Sequence, residues 1–212
     1  MDQSKSRIIS KIEQQSGNKD RYSLYINNVF VIGVSSDIFI KYRLIEGQEI
    51  NHIEEIIKAE ENKKAENYAL KLLSYCSKSE QEIILKMREK GYEPESIKAT
   101  IDFLKKHQYI NDEAYASSLV ENRTKSKKLG KARIKQELYR KGISKDIIQN
   151  TITEQISPED EYENALGLAE KKLCTTYKND DDRSKYQKLG AFLQRKGFDY
   201  EVISKVLTKL IR

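Results

Sequence analysis

The sequence predicts a mainly α-helical protein: three tandem three-helix repeats forming an extended, curved molecule, preceded by a small N-terminal antiparallel β element. Three observations carry this. With 2 prolines and 9 glycines in 212 residues, turn-formers are too scarce for a many-stranded β architecture. Charged residues make up 34% of the chain and hydrophobic ones 38%, against roughly 25% charged in an ordinary globular domain, which favours thin, repetitive architecture over one large core. A Lys-Gly-apolar pattern also recurs three times, as Lys90-Gly91-Tyr92, Lys141-Gly142-Ile143 and Lys196-Gly197-Phe198.

The likeness around these glycines extends both ways. Met87, Leu138 and Leu193 stand four residues before them, and Ile83, Ile134 and Leu189 eight before. Ile97, Ile148 and Ile203 follow at six residues, and Ile101, Ile152 and Leu207 at ten. Apolar residues four apart form one helical stripe, a glycine can take the left-handed conformation past the helix end, and the preceding lysine complements the C-terminal dipole. A second helix then opens at Pro94, or behind the N-cap residues Ser144 and Asp199. Upstream, Ser79 with Glu82 forms a capping-box pattern, Gly130 sits at the equivalent offset in the second copy, and Ser184 lies one residue off it in the third. The segments 65–75, 111–122 and 157–173 supply the first helix of each copy. Spacings of 51 and 55 residues between glycines place variable loops between first and second helices.

The N-terminal part differs in kind. Residues 21–26 alternate in polarity, Asn27-Asn28 suits a two-residue hairpin turn, residues 29–32 form a second strand, and 8–14 a third. Ser36-Asp37 opens a short helix ending near Gly47. Asn51 with Glu54 opens another, and the charged run 58–64 is a helical connector into the first repeat. The expected segments are thus 1–62 for the β-hairpin and short-helix extension, then 63–110, 111–156 and 157–212 for the three repeats.

Enzyme chemistry lacks parts. His52 and His107 stand alone, without a metalloprotease or serine-elbow motif, so no catalytic residue is nominated. Gly130-Lys131 is followed by Ala132, and Lys125 stands where a P-loop needs its first glycine, so no nucleotide cofactor is expected. Acidic residues 159–161 are read as compensating a helix dipole and 180–182 as a solvated loop, leaving no metal site. Cys76 and Cys174 have no C-x-x-C partner, and the longest apolar run, 29–32, is far too short to span a bilayer. A reduced, soluble, cytoplasmic chain without membrane association is expected.

Charge is the first hint about partners. The net charge of +6 divides as 0, +1, +4 and +1 over residues 1–64, 65–109, 110–156 and 157–212. The excess lies in the second repeat, where Arg123, Lys125, Lys127, Lys128, Lys131, Arg133, Lys135, Arg140 and Lys141 crowd the loop and central helix. These nine are the candidate partner- and DNA-binding residues, since a positive field of this density engages phosphates or an acidic protein surface.

The residues also carry a resemblance. The run from Ala65 to Ser74, Ser79 with Glu82, the stretch 109–116 beginning Tyr-Ile-Asn-Asp, and Ile134 through the Glu137-Leu138 and Lys141-Gly142 pairs look like the RecX family of regulators of the RecA recombinase. The match covers about 65–212, and the β element looks like an extension of longer members. The resemblance implies a non-enzymatic, monomeric protein that needs no cofactor and sits in the groove of the RecA–DNA filament. There it would modulate, and inhibit, RecA's ATPase, strand-exchange and co-protease activities, a role in homologous recombination, DNA repair and the SOS response. Its partners would be the RecA filament and single- or double-stranded DNA, met through the basic face. One departure is that Lys131 stands where the family often has proline after Gly130. The alternatives are a free-standing helical DNA-binding protein or transcriptional regulator, or a helical scaffold for an acidic partner.

Overall fold

The computed structural model describes residues 6–211. In chain order these form strands β1 (Ile9–Gln15), β2 (Asn18–Ile26) and β3 (Val29–Ser35), then helices α1 (Ser36–Lys41), α2 (Ile53–Tyr75), α3 (Glu80–Glu89), α4 (Pro94–Lys106), α5 (Asp112–Lys125), α6 (Lys131–Arg140), α7 (Lys145–Gln155), α8 (Pro158–Cys174), α9 (Asp182–Lys196) and α10 (Tyr200–Leu210). The mainly helical fold with a three-stranded antiparallel sheet matches the expected class. The chain divides into two compact units, one of residues up to 72 with 87–104, the other of 73–86 with 105 onward, the division running through α2, α3 and α4.

In the first unit the sheet has the order β1-β2-β3. Asn27 and Asn28 both take positive φ, at 48° and 66°, the backbone a tight hairpin needs and asparagine tolerates. Alternation puts Leu24, Ile26, Ile9 and Val34 into a core completed by Ile38, Leu44, Ile50, Ile53 and Ile56. The short helix ends earlier than the sequence suggests, at Lys41. The following loop instead turns back along β1, where Gly47 N donates to Ile9 O at 2.8 Å and Ile50 N to Arg7 O at 2.7 Å.

Residues 53–75 form one unbroken helix, in which the helix opened near Asn51 and the helical connector 58–64 run without a break into the first helix of the first repeat. No glycine or proline interrupts it, so the charged run 58–64 simply continues the spiral. Within that run Glu60 is fully buried. Its carboxylate meets the Arg21 guanidinium at 2.9 Å and accepts from Ser35 N at 2.8 Å, tying α2 to the end of β3.

In the second unit each complete repeat has its own core. Ile134, Leu138, Ile143, Ile148 and Ile152 gather with Ala116, Leu119, Val120 and Ile156. The equivalent Leu189, Leu193, Phe198, Ile203 and Leu207 gather with Ala165, Ala169 and Val206. The apolar columns are therefore the cores. In the first copy Ile83, Met87, Ile97 and Ile101 are likewise buried, while Tyr92 is half-buried, its ring 5.5 Å from that of Tyr68.

Gly91, Gly142 and Gly197 all take positive φ, between 78° and 91°, as a left-handed helix stop requires. Two of them do more. Gly197 sits against the start of α6: Gly130 N donates to Lys196 O at 3.0 Å, and Ala132 N to Gly197 O at 3.1 Å. The carboxylate of Glu161, from α8, accepts from Lys131 N at 3.1 Å. The N-terminal amides of α6, which Gly130 cannot cap with a side chain, are thus satisfied by the third repeat. The joint between first and second copies follows the same plan. Ser79 Oγ donates to Lys141 O at 2.5 Å, and Glu80 N donates to Asp112 Oδ1 at 2.9 Å. Ser79 and Glu82 also complete their reciprocal capping box, each amide 3.2 Å from the other's side chain.

A Cβ on Gly197 would lie 2.4 Å from Arg133 N, and one on Gly142 2.3 Å from the Gln81 Cβ, whereas one on Gly91 would meet nothing within 4 Å. Gly91→Ala should therefore cost about 1 to 2 kcal/mol from backbone conformation alone. Gly197→Ala should cost at least about twice that, because the two backbones must also separate. Thermal unfolding of the two variants checks this, and equal losses would contradict the close approach.

Candidate nucleic-acid and partner interface

The nine basic residues of the second repeat divide by what their side chains touch. Arg123 grips Glu137 of α6 through two nitrogens, Nε at 2.9 Å and Nη2 at 2.6 Å, and both side chains are about four-fifths shielded. Lys131 Nζ lies 3.0 Å from Glu161, whose side chain is only 4% exposed. Lys141 bonds Glu82 of α3. These three cations hold helix to helix. Lys125 makes a surface pair with Glu121 one turn earlier at 2.7 Å, an arrangement that contributes a few tenths of a kcal/mol.

The other five face outward. Lys127 and Lys128 are exposed in the loop between α5 and α6, and Lys128 has φ of 48°. Its ammonium swings toward α8, 3.8 Å from where a Cβ on Gly167 would stand. Arg133 and Arg140 are exposed on α6, where two helical turns bring residues seven apart onto one face. Lys135 is half-buried and contacts Gln149 at 3.4 Å. Lys127, Lys128, Arg133, Lys135 and Arg140 form no ion pair among the described residues. α6 starts without a proline, yet Gly130 holds an extended N-cap conformation and the next repeat supplies the hydrogen bonds.

Sequence reading missed the partners of the paired cations. Glu161 serves α6 across the joint, while Asp160 and Ser157 exchange the capping bonds of α8. Asp181 is no loop residue: it caps α9, accepting from Ser184 N at 3.0 Å, and Asp180 pairs with Lys188 at 2.8 Å. Signals existed in part, since Asp181 stands three residues before Ser184 in a capping pattern. Nothing in the local sequence marks Glu161, whose partner is 30 residues away.

His52 and His107 are exposed, His52 lying 3.6 Å from Glu55 and the His107 ring beside Tyr109. Both cysteines are free and exposed. Among the described residues no helix is long and apolar enough to cross a membrane.

The fold and site together define a tandem three-helix-repeat protein with a basic central copy and an N-terminal sheet domain. Family models match along nearly the whole chain: the regulatory protein RecX N-terminal domain at 7–51, and the first, second and third three-helix domains of RecX at 65–104, 111–152 and 159–207. The regulatory protein RecX of Clostridioides difficile strain 630 is 38% identical over 96% of both chains, and that of Clostridium tetani strain Massachusetts / E88 is 37% identical over 98% of this chain and 96% of its own. A crystal structure of regulatory protein RecX superposes with a TM-score of 0.77 at 33% identity, covering 94% of this chain and 98% of that one. That of RecX from Lactobacillus salivarius gives 0.66 at 31% identity, over 72% and 97%. The chain belongs to the RecX family of regulatory proteins.

Electrostatics ties the joint to pH. Burial opposes ionisation of Glu82, but hydrogen bonds from Lys141 and Ser79 N outweigh it, and its carboxyl titrates below the usual 4.5. The Arg123 guanidinium lowers Glu137 in the same way. Burial instead raises Asp112, so that group favours the fold when protonated. For Glu82 and Glu137, stabilisation is complete above the unfolded value and lost as pH falls through the lower folded one. Melting temperature should therefore drop on acidification below about 4.5, and Glu82→Gln should flatten part of that drop. An unchanged slope in the variant would remove Glu82 from the account.

Proposed function

We propose that this chain binds the RecA–DNA filament and restrains RecA's ATP hydrolysis, strand exchange and co-protease activity, as a monomeric, cytoplasmic and non-enzymatic partner. The observation that carries this reading is the separation of the cations into two sets. Arg123, Lys131 and Lys141 are spent on holding helices together. Lys127, Lys128, Arg133 and Arg140 are exposed, without ion pairs among the described residues, on a repeat fixed at both joints. Cations held out by a rigid scaffold at no cost in internal pairs suit the phosphates of a DNA-filled filament groove. Family membership supports RecA as the regulated protein, since the RecX resemblance carries that partner with it.

Single-stranded-DNA-dependent ATP hydrolysis by the cognate RecA, titrated with the full chain at moderate salt, tests the reading. Wild type should suppress turnover. Lys127→Glu with Lys128→Glu should raise the half-inhibitory concentration roughly tenfold or more, about 1.4 kcal/mol of lost contact, at an unchanged melting temperature. Lys131→Glu should instead lower the melting temperature, because it breaks the pair with Glu161. Absence of any wild-type effect, under every order of addition, would overturn the proposal.

A further inference from the structure

Where α6 meets α9 at the second joint, a surface cleft is lined by Ala132, Arg133, Gln136, Gln194, Arg195 and Gly197. At its base the backbone of Gly197 packs directly against that of Arg133. Two guanidinium groups and two carboxamides line it, and no carboxylate does. Arg133 and Arg195 form no ion pair among the described residues, and both are exposed. Among the described residues the Arg133 side chain hydrogen-bonds to Gln136, at 3.4 Å. From this convergence we infer that the cleft is a binding site for the phosphodiester backbone of single-stranded nucleic acid, with Arg133 from the second repeat and Arg195 from the third gripping consecutive phosphates. The inference deepens the proposed function by extending the DNA-contacting surface across the joint to a residue outside the basic run.

The first joint provides an internal contrast. At the corresponding places there, counted from Ser79 and Gly142, stand Glu82 and Arg140, and Glu82 is paired with Lys141. The place of Arg133 thus carries a carboxylate at one joint and a guanidinium at the other, so nothing in the joint itself requires arginine there. The guanidinium fork offers several N–H donors in a plane that matches phosphate oxygens, which a structural lysine would not. Glutamine amides beside it add neutral donors for the same oxygens.

The test uses the full chain and a fluorescein-labelled oligothymidylate, with anisotropy followed across a salt series. Arg133→Gln with Arg195→Gln should weaken binding about tenfold and reduce the slope of log affinity against log salt by about 1.4, or 0.7 for each lost phosphate contact on a single strand. Circular dichroism checks the fold. If the double variant does not fold, Arg195→Gln alone should remove about 0.7 from the slope. Unchanged affinity and slope would overturn the inference. So would displacement of the oligonucleotide by tripolyphosphate as effectively as by unlabelled strand, which would make the cleft a general polyanion site. Retained oligonucleotide binding with lost inhibition of RecA would assign the cleft to carboxylates of a protein partner, against the inference. The two readings fail separately, because a wild type without effect on RecA's ATPase leaves the oligonucleotide measurements standing.

Discussion

The second unit depends on the contact between a helix start and a glycine turn of the following repeat. A short helix leaves its first amides without internal partners, and a glycine turn leaves carbonyls pointing outward. Here each solves the other's problem. Gly130 N and Ala132 N find Lys196 O and Gly197 O, and Lys131 N finds Glu161. The contact requires that no side chain stand between the two backbones, which is why Gly130 as well as Gly197 is glycine: a Cβ on Gly130 would lie 2.2 Å from Gly197 O. Repeats so joined share polar backbone bonds while keeping separate apolar cores.

This joint also decides which charges are available. A basic run reads as one continuous patch in sequence, but the fold divides it. Lys131 and Lys141 lie at joints, where buried or half-buried carboxylates of neighbouring repeats claim them, and Arg123 braces α5 against α6. Desolvated pairs of this kind are costly to break because they leave a charge without its partner. The outward cations have no ion pair to give up, among the described residues, on meeting a ligand. Positive potential outside the protein therefore comes from about half of the run together with Arg195, which the joint brings beside Arg133.

Much of the fold was legible because its determinants are local. Apolar spacing, the Lys-Gly stops, the Ser79–Glu82 box, Pro158 at a helix start and the Asn27-Asn28 turn each act within a few residues, and each appears where the pattern puts it. What escaped depends on long-range partners. Glu161 and Lys131 are 30 residues apart, Glu82 and Lys141 59. Within the charged helical run 58–64, nothing local marks Glu60 as the buried member that pairs with Arg21. The Lys-Gly pattern accounts for glycine at 142 and 197 by backbone conformation, whereas the approach of the preceding repeat is visible only in three dimensions.

Native-state hydrogen exchange at the start of α6 addresses the joint most directly. If the third repeat satisfies these amides, Gly130, Lys131 and Ala132 should be protected to a degree comparable with the cores of the two repeats, since they can open only when the joint does. Exchange of these three amides at the rate of an exposed helix end, with the cores still protected, would contradict the account.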